Sequence, residues 1–428
     1  MSCSSKKVEI NSFSMRQIEF IKTFGGSKNE VAKSVVNCKN GGYAILGYVQ
    51  SNDYDFISKK NESFDLFIIK YSDNDQLEWV KTFGGSDNDR GEKMITTKDG
   101  GFAVIGYSES SDLDLTQNKG DKDFWVLKLN SEGNIEWQKS IGFLGKDFGT
   151  AIIETSEGGF LVTGEIDVTA SIGEGNFNAK SLHAGGDFWI IKLSSLGLIE
   201  WSKYYGGTLT DTPYGIVQTQ NNNFIIVGSS DSHDVDITNY KGSYDFWILK
   251  ISNSGKLIWQ KNFGGSEIDE AKAIVETNNK NLLIIGNSRS KDKDVNQNYG
   301  GSDLYIIKID YDGSLLSKRN IGGINFDSGN SIHQTSDGNF LLSGSTRSTF
   351  KNIQNKGQND SWILKIDSEA NILWQKNFGG SNIDVCFDAI ELKDGKIIGV
   401  GETISNDKDI LINKGFSDIL IIKLIDCP

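Results

Sequence analysis

The chain is poor in proline, histidine and cysteine: of 428 residues, only 2 are Pro, 3 are His and 4 are Cys. With so little proline, turns fall to glycine, asparagine and aspartate, and glycine is plentiful at 48. The cysteines are Cys3, Cys38, Cys386 and Cys427. They lack CxxC spacing, which argues against zinc or thioredoxin-like chemistry. No run approaches the roughly 18–20 apolar residues that a membrane-spanning helix needs. Also absent are a phosphate-cradling GxxxxGK[ST], an HExxH and an evident Ser/His/Asp set. Positive charge is in deficit, 44 Lys and Arg against 57 Asp and Glu, giving a formal net charge of -13. A polyanion would be repelled, so nucleic acid is not expected as a partner.

What is present is a repeat. A Phe-Gly-Gly marker recurs at Gly25, Gly84, Gly142 (degenerate), Gly206, Gly264, Gly322 and Gly379, a period near 58 with about six extra residues in the third copy. Each copy parses into four short strands rich in β-branched and aromatic residues. They are an IEWxK type (Ile135–Lys139), an AIVET type (Ala273–Thr277), a GFxVxG type (Gly101–Gly106) and a DFWILK type (Asp123–Lys128). The last two are apolar on both faces, as expected of strands sandwiched between sheets. Asp-Gly turns such as Asp99-Gly100 and Asp312-Gly313 join some strands. The FGGSxxD stretch and an Asp-rich loop after GFxVxG join the others.

Four-stranded units repeated seven times predict an all-β fold, a seven-bladed β-propeller. The expected layout is a tether over residues 1–16, the propeller over 17–425 and a short tail over 426–428. The chain opens on an IEWxK strand (Ile18–Lys22) and ends on a DFWILK strand (Asp418–Lys423). If IEWxK is outermost, the N-terminal strand completes the last blade and closes the ring, removing an open edge. The two kinds of longer loop then emerge on one face, opposite the tight hairpins.

The run FGGS…DGGFxVxG…DFWILKL…GxIxW resembles the propeller repeat of envelope and secreted proteins of the Bacteroidetes group. The resemblance implies a bacterial envelope protein. With it, the start MSCSSKKVEINS reads as a mature lipoprotein acylated at Cys3. Ser4-Ser5-Lys6-Lys7 stands where surface-exported relatives often carry acids, which favours the periplasmic leaflet of the outer membrane.

Aromatics that recur once per copy, including all nine Trp, are expected to pack blade on blade. Two acids also recur: Glu30, Asp89, Asp147, Asp211, Asp269, Asp327 and Asp384 after FGG, and Asp65, Asp123, Asp187, Asp245, Asp303, Asp360 and Asp418 opening the DFWILK strands. Short carboxylates in loops accept backbone N–H groups, so these are read as loop-fixing; paired catalytic carboxylates are the alternative. A tighter pattern, D-x-D-x3-N-x-G-x2-D, appears as Asp112, Asp114, Asn118 and Asp123, as Asp292, Asp294, Asn298 and Asp303, and as Asp407, Asp409, Asn413 and Asp418. Clustered oxygen donors suit calcium, so these are possible calcium loops, the one cofactor entertained. The spacing is two residues longer than familiar calcium loops.

A unique site should be built from residues that break the repeat. His183, His233, Arg289 and Arg347 do so on the long-loop face, the candidate binding face. The expectation for function is a non-catalytic binding or scaffold lipoprotein, an accessory subunit of an outer-membrane protein complex. Its partners are proteins, and it meets the membrane through the lipid anchor only. The alternatives are a carbohydrate-active or other envelope enzyme at the central funnel, and a calcium-dependent ligand-binding protein.

Overall fold

A computed structural model describes residues 16–115, 117–171 and 183–426. Cys3, Cys427 and most of the third-copy insertion lie outside them. Twenty-eight strands form seven four-stranded antiparallel sheets, with a single 3-10 turn, Tyr54–Phe56, as the only helical element among the described residues. This is the expected seven-bladed propeller.

Each blade begins on its AIVET-type strand. These inner strands are Glu30–Asn37, Asp89–Thr96, Phe148–Glu154, Asp211–Gln218, Asp269–Glu276, Asp327–Gln334 and Asp384–Glu391. The GFxVxG and DFWILK strands follow outward, and the IEWxK strand of the next copy is outermost. Blade seven takes its outer strand from the start of the chain. Arg16–Phe24 pairs antiparallel with Asp418–Asp426, from Arg16 opposite Asp426 to Phe24 opposite Ile419. The predicted closure is observed, and it joins the two ends of the described chain in one sheet.

The core is distributed rather than central. Apolar residues cluster between successive blades: Leu46 and Ile68 of blade one meet Val104 and Leu127 of blade two, and Val35 and Ile69 of blade one meet Ile398 and Ile421 of blade seven. Strands with a neighbouring sheet on each face are buried throughout, as in Asp123–Leu129 and Asp245–Ile251. Outer strands such as Leu77–Phe83 are exposed to half-buried along most of their length, with only Phe83 buried. The tryptophans bind blade to blade as expected. The Phe188 and Trp247 rings meet at 4.6 Å, edge to face, across the junction of blades three and four. Outer-strand Trp201 donates its Nε1–H to the Asn253 carbonyl of the next hairpin. Gly255 in that hairpin has φ 74° and lies against the Trp201 ring, 3.0 Å from where a Cβ would sit. Cys38 and Cys386 are both buried free thiols.

Candidate functional site

The FGG loops and the Asp-rich loops share one face and brace each other there. In blade two, Asp112 Oδ1 accepts the Ser86 N–H at 2.8 Å and Asp114 Oδ2 accepts the Gly84 N–H at 3.0 Å. Asn118 bridges within its own loop: its Oδ1 accepts from Gly120 N and its Nδ2 donates to the Ser108 carbonyl. Asp123 Oδ2 accepts from Lys119 N and Ser140 Oγ. The same arrangement holds Asp292, Asp294, Asn298 and Asp303 in blade five, and Asp407, Asp409, Asn413 and Asp418 in blade seven. The residues of the proposed calcium pattern are thus spread over several N–H donors, not gathered about one point. Among the described residues no group of three or more His, Cys, Asp or Glu is placed to hold a metal. Blade one uses Asp53 and Asp55 identically, a partial match hidden because its loop lacks the later residues of the pattern.

The two recurring acids meet at every blade junction. The acid after FGG accepts the N–H that follows the marker glycine, as Asp269 does from Gly265 at 2.6 Å. It also takes a serine hydroxyl, Ser290 Oγ at 2.7 Å. The acid opening the DFWILK strand flanks the same glycine: a Cβ on Gly264 would collide with Asp245 Oδ1 and lie 2.8 Å from Asp269 Oδ2. Asp123, Asp187, Asp245, Asp303, Asp360 and Asp418 each keep a buried Oδ1 with no hydrogen-bond partner. Burial pushes Asp65, Asp147, Asp211 and Asp245 up to about 7, and Asp187 and Asp303 up to about 6. Repeated in every blade, this is loop architecture and not a single reaction centre.

The inner strands carry what the repeat does not. Each has a one-residue bulge, and the bulged residues are Lys33, Glu92, Thr150, Tyr214, Lys272, Asn330 and Phe387. They reach around the central ring. Lys33 pairs with Glu92 at 3.0 Å and sits 4.6 Å from the Phe387 ring. Lys272 stands 3.8 Å over Tyr214, and Asn330 donates to the Cys386 carbonyl. One position further along, Asp388 is fully buried and accepts from Ser34 Oγ, Val35 N, Lys93 Nζ at 2.9 Å and His333 Nε2 at 2.7 Å. Burial alone would raise its pKa, but Lys93 and His333 outweigh it and hold the carboxyl well below the usual range. This hub ties blades one, two, six and seven. The sequence signal was available: Asp388 and Lys93 stand where other copies have Ser, Ala or Gly, and His333 where they have Val or Ile.

Of the four candidate binding residues, His183 is turned inward. Its Nδ1 lies 2.6 Å from Asp187 Oδ2 and its ring packs edge-on against Tyr204. It replaces the backbone N–H that serves this acid's equivalents in blades two and four to seven. His233 is exposed beside Tyr240 on blade four. Arg289 and Arg347 are exposed on blades five and six. Both flank Phe326: the Arg289 guanidinium stands 5.7 Å from its ring, and Arg347 N donates to its carbonyl. The loop face also carries most of the exposed large apolar side chains among the described residues. Ile57 (80% exposed), Leu113 (77%), Ile324 (78%), Leu411 (83%) and Phe416 (73%) are the most prominent.

No protein-family model matches the chain, and no curated protein is similar to it in sequence. Solved structures are similar in shape. The WD40 domain of Neurospora crassa Pan2 superposes with a TM-score of 0.53 at 9% identity, over 96% of this chain and 95% of that one. BBS1N, solved in complex with ARL6DN, gives 0.50 at 9% identity over 96% and 97%. A protein of unknown function from Bacteroides caccae gives 0.42 at 11% identity over 82% and 94%. At these identities the likeness to the Pan2 domain and BBS1N is one of fold.

Proposed function

We propose that this chain is a non-catalytic scaffold that binds a protein partner through its loop face. The observation carrying this reading is that most of the exposed large apolar side chains among the described residues sit on the loops of that one face. Exposed apolar surface concentrated on one side of a folded protein marks an interaction site. The acids that could suggest chemistry are instead committed to loop N–H groups. The Pan2 WD40 domain and BBS1N are similar to it in shape, and BBS1N was solved in complex with ARL6DN.

The finer reading follows the repeat's resemblance: an outer-membrane lipoprotein anchored through Cys3, facing the periplasm, and an accessory subunit of an envelope complex. Mild-detergent purification from native membranes tests the scaffold. It should bring down a stoichiometric protein partner, and a clean monomer would sink the proposal. Mass spectrometry of the native N-terminal peptide tests the anchor: a diacylglyceryl-modified Cys3 is expected, and an unmodified one removes it.

A further inference from the structure

Resting on the scaffold reading, we infer that a groove between blades five and six is where the partner is gripped, and that it takes an acidic segment carrying an apolar anchor. The groove encloses about 620 Å³, and its lining includes Lys318, Arg319, Lys351, Tyr299, Ile324 and Phe350 but no carboxylate. In a chain of net charge -13 that is a local reversal of sign. The corresponding hollows beside the outer strands of blades one and six each include an acid, Asp114 and Asp409 respectively.

The reversal comes from departures that converge in space. Five blades brace the FGG loop with an Asp–Ser or Asp–Thr pair, as Asp292 braces Ser266. Blade six has Phe350 and Ile324 in those places. Phe350 packs edge-on against Trp362, while Ile324 stands 78% exposed. The second aspartate of the loop becomes Asn352, which turns away from the groove to donate to the Gln375 carbonyl and lines the hollow beside the outer strand of blade six. Lys318 occupies a position that is Ile21, Val80, Gln138, Ser202, Gln260 or Gln375 elsewhere. Finally, Asn320 Nδ2 in the groove wall is buried without a hydrogen-bond partner, whereas its counterparts Asn262 and Asn377 spend theirs on neighbouring loops. Two carboxylates are lost, a cation is gained, an amide donor stands free, and an exposed isoleucine stands beside a half-buried aromatic ring. Arg289 stands over the ring of Phe326, two residues along the chain from Ile324. Carboxylates fit the cations and the free amide, and an apolar side chain fits between Ile324, Tyr299 and Phe350. A nucleic acid would meet the same cations but also the repulsion of the whole chain.

The test uses substitutions that restore the repeat, which the sister blades show to be compatible with the fold. A displayed library of random dodecapeptides is panned on the full chain, with Ile324→Ser/Phe350→Asp as counter-target. Enrichment of peptides rich in Asp and Glu with an aromatic or aliphatic residue is expected. Their affinity should fall at least tenfold on the double variant and on Lys318→Gln, and should weaken with added salt. Enrichment of neutral or basic peptides, equal binding to the double variant, or tighter binding of a single-stranded oligonucleotide than of any peptide overturns the groove assignment. The native co-purification separates this from the broader reading. If the double variant still retains the stoichiometric partner, the groove is wrong and the scaffold stands; if the unaltered chain retains none, the scaffold itself fails.

Discussion

Consider the carboxylate pair at Gly264, and replace Asp245 by the isosteric asparagine. Burial holds Asp245 up to about 7, against about 4 in an unfolded chain, with Asp269 adding to the rise. A group whose folded pKa is raised stabilises the fold fully below its unfolded pKa and loses that contribution as pH rises through the folded one. The window is therefore pH 4 to 7, and the native protein should melt higher at pH 5 than at pH 8. Three pKa units amount to about 4 kcal/mol for the ionised acid at pH 8. Asparagine escapes that cost but accepts the Lys241 N–H less strongly than a carboxylate, a loss of about 1–2 kcal/mol. The net is a gain of about 2 kcal/mol at pH 8. With an unfolding entropy near 0.9 kcal/mol/K for a chain of roughly this size, the melting temperature should rise about 2 °C. At pH 5 the acid is already largely protonated and the gain should shrink or reverse. Scanning fluorimetry of both proteins from pH 5 to 8 reads this directly. A native melting temperature that is flat or rises with pH, or an Asp245→Asn variant destabilised equally at both ends, would show that Asp245 is not held protonated by its burial.

Other consequences can be checked alongside. Asp388→Ala leaves the buried Ser34 hydroxyl and Val35 N–H without their acceptor and half-buried Lys93 and His333 without their partner, and should cost about 2–3 kcal/mol in urea unfolding; a loss under 1 kcal/mol would show that the hub does not hold the ring. Removing residues 1–24 leaves Asp418–Asp426 as an open edge, so the protein should associate or aggregate in size-exclusion chromatography, and a stable monomer would contradict closure. Asp112→Ala with Asp114→Ala frees the Ser86 and Gly84 N–H groups and should lower stability by about 2 kcal/mol to the same extent with calcium or with a chelator; a calcium-dependent difference would restore the metal reading. Gly286→Ala drives a Cβ into the Glu270 carbonyl of the inner strand and should destabilise by at least about 2 kcal/mol in the same unfolding assay.

The architecture was legible in the residues because a propeller is written locally. Blade number follows from counting FGG markers, strand order from which connections are tight, and ring closure from the chain starting on one strand type and ending on another. The Trp of IEWxK and DFWILK announced packing because they recur with the period. Even the shared face of the two loop types followed from alternation along each blade. A site has no such periodicity. His183 breaks the repeat yet lies buried against Asp187 as a substitute for a backbone donor. The D-x-D spacing suits a cation in one dimension, but folding sends Asp112 and Asp114 to two different N–H groups. Asp388, Lys93 and His333 are scattered over almost 300 residues, and only closure of the ring brings them within hydrogen-bonding distance. Ile324, Phe350 and Lys318 are unremarkable departures along the chain. They become one groove because the outer strand of blade five lies beside the loops of blade six. Sequence alone determined the repeat and hence the fold, since each blade's pattern is local. Which departures from that pattern act together was decided by tertiary structure, because only contact across blades puts their charges and apolar surfaces in reach of one another.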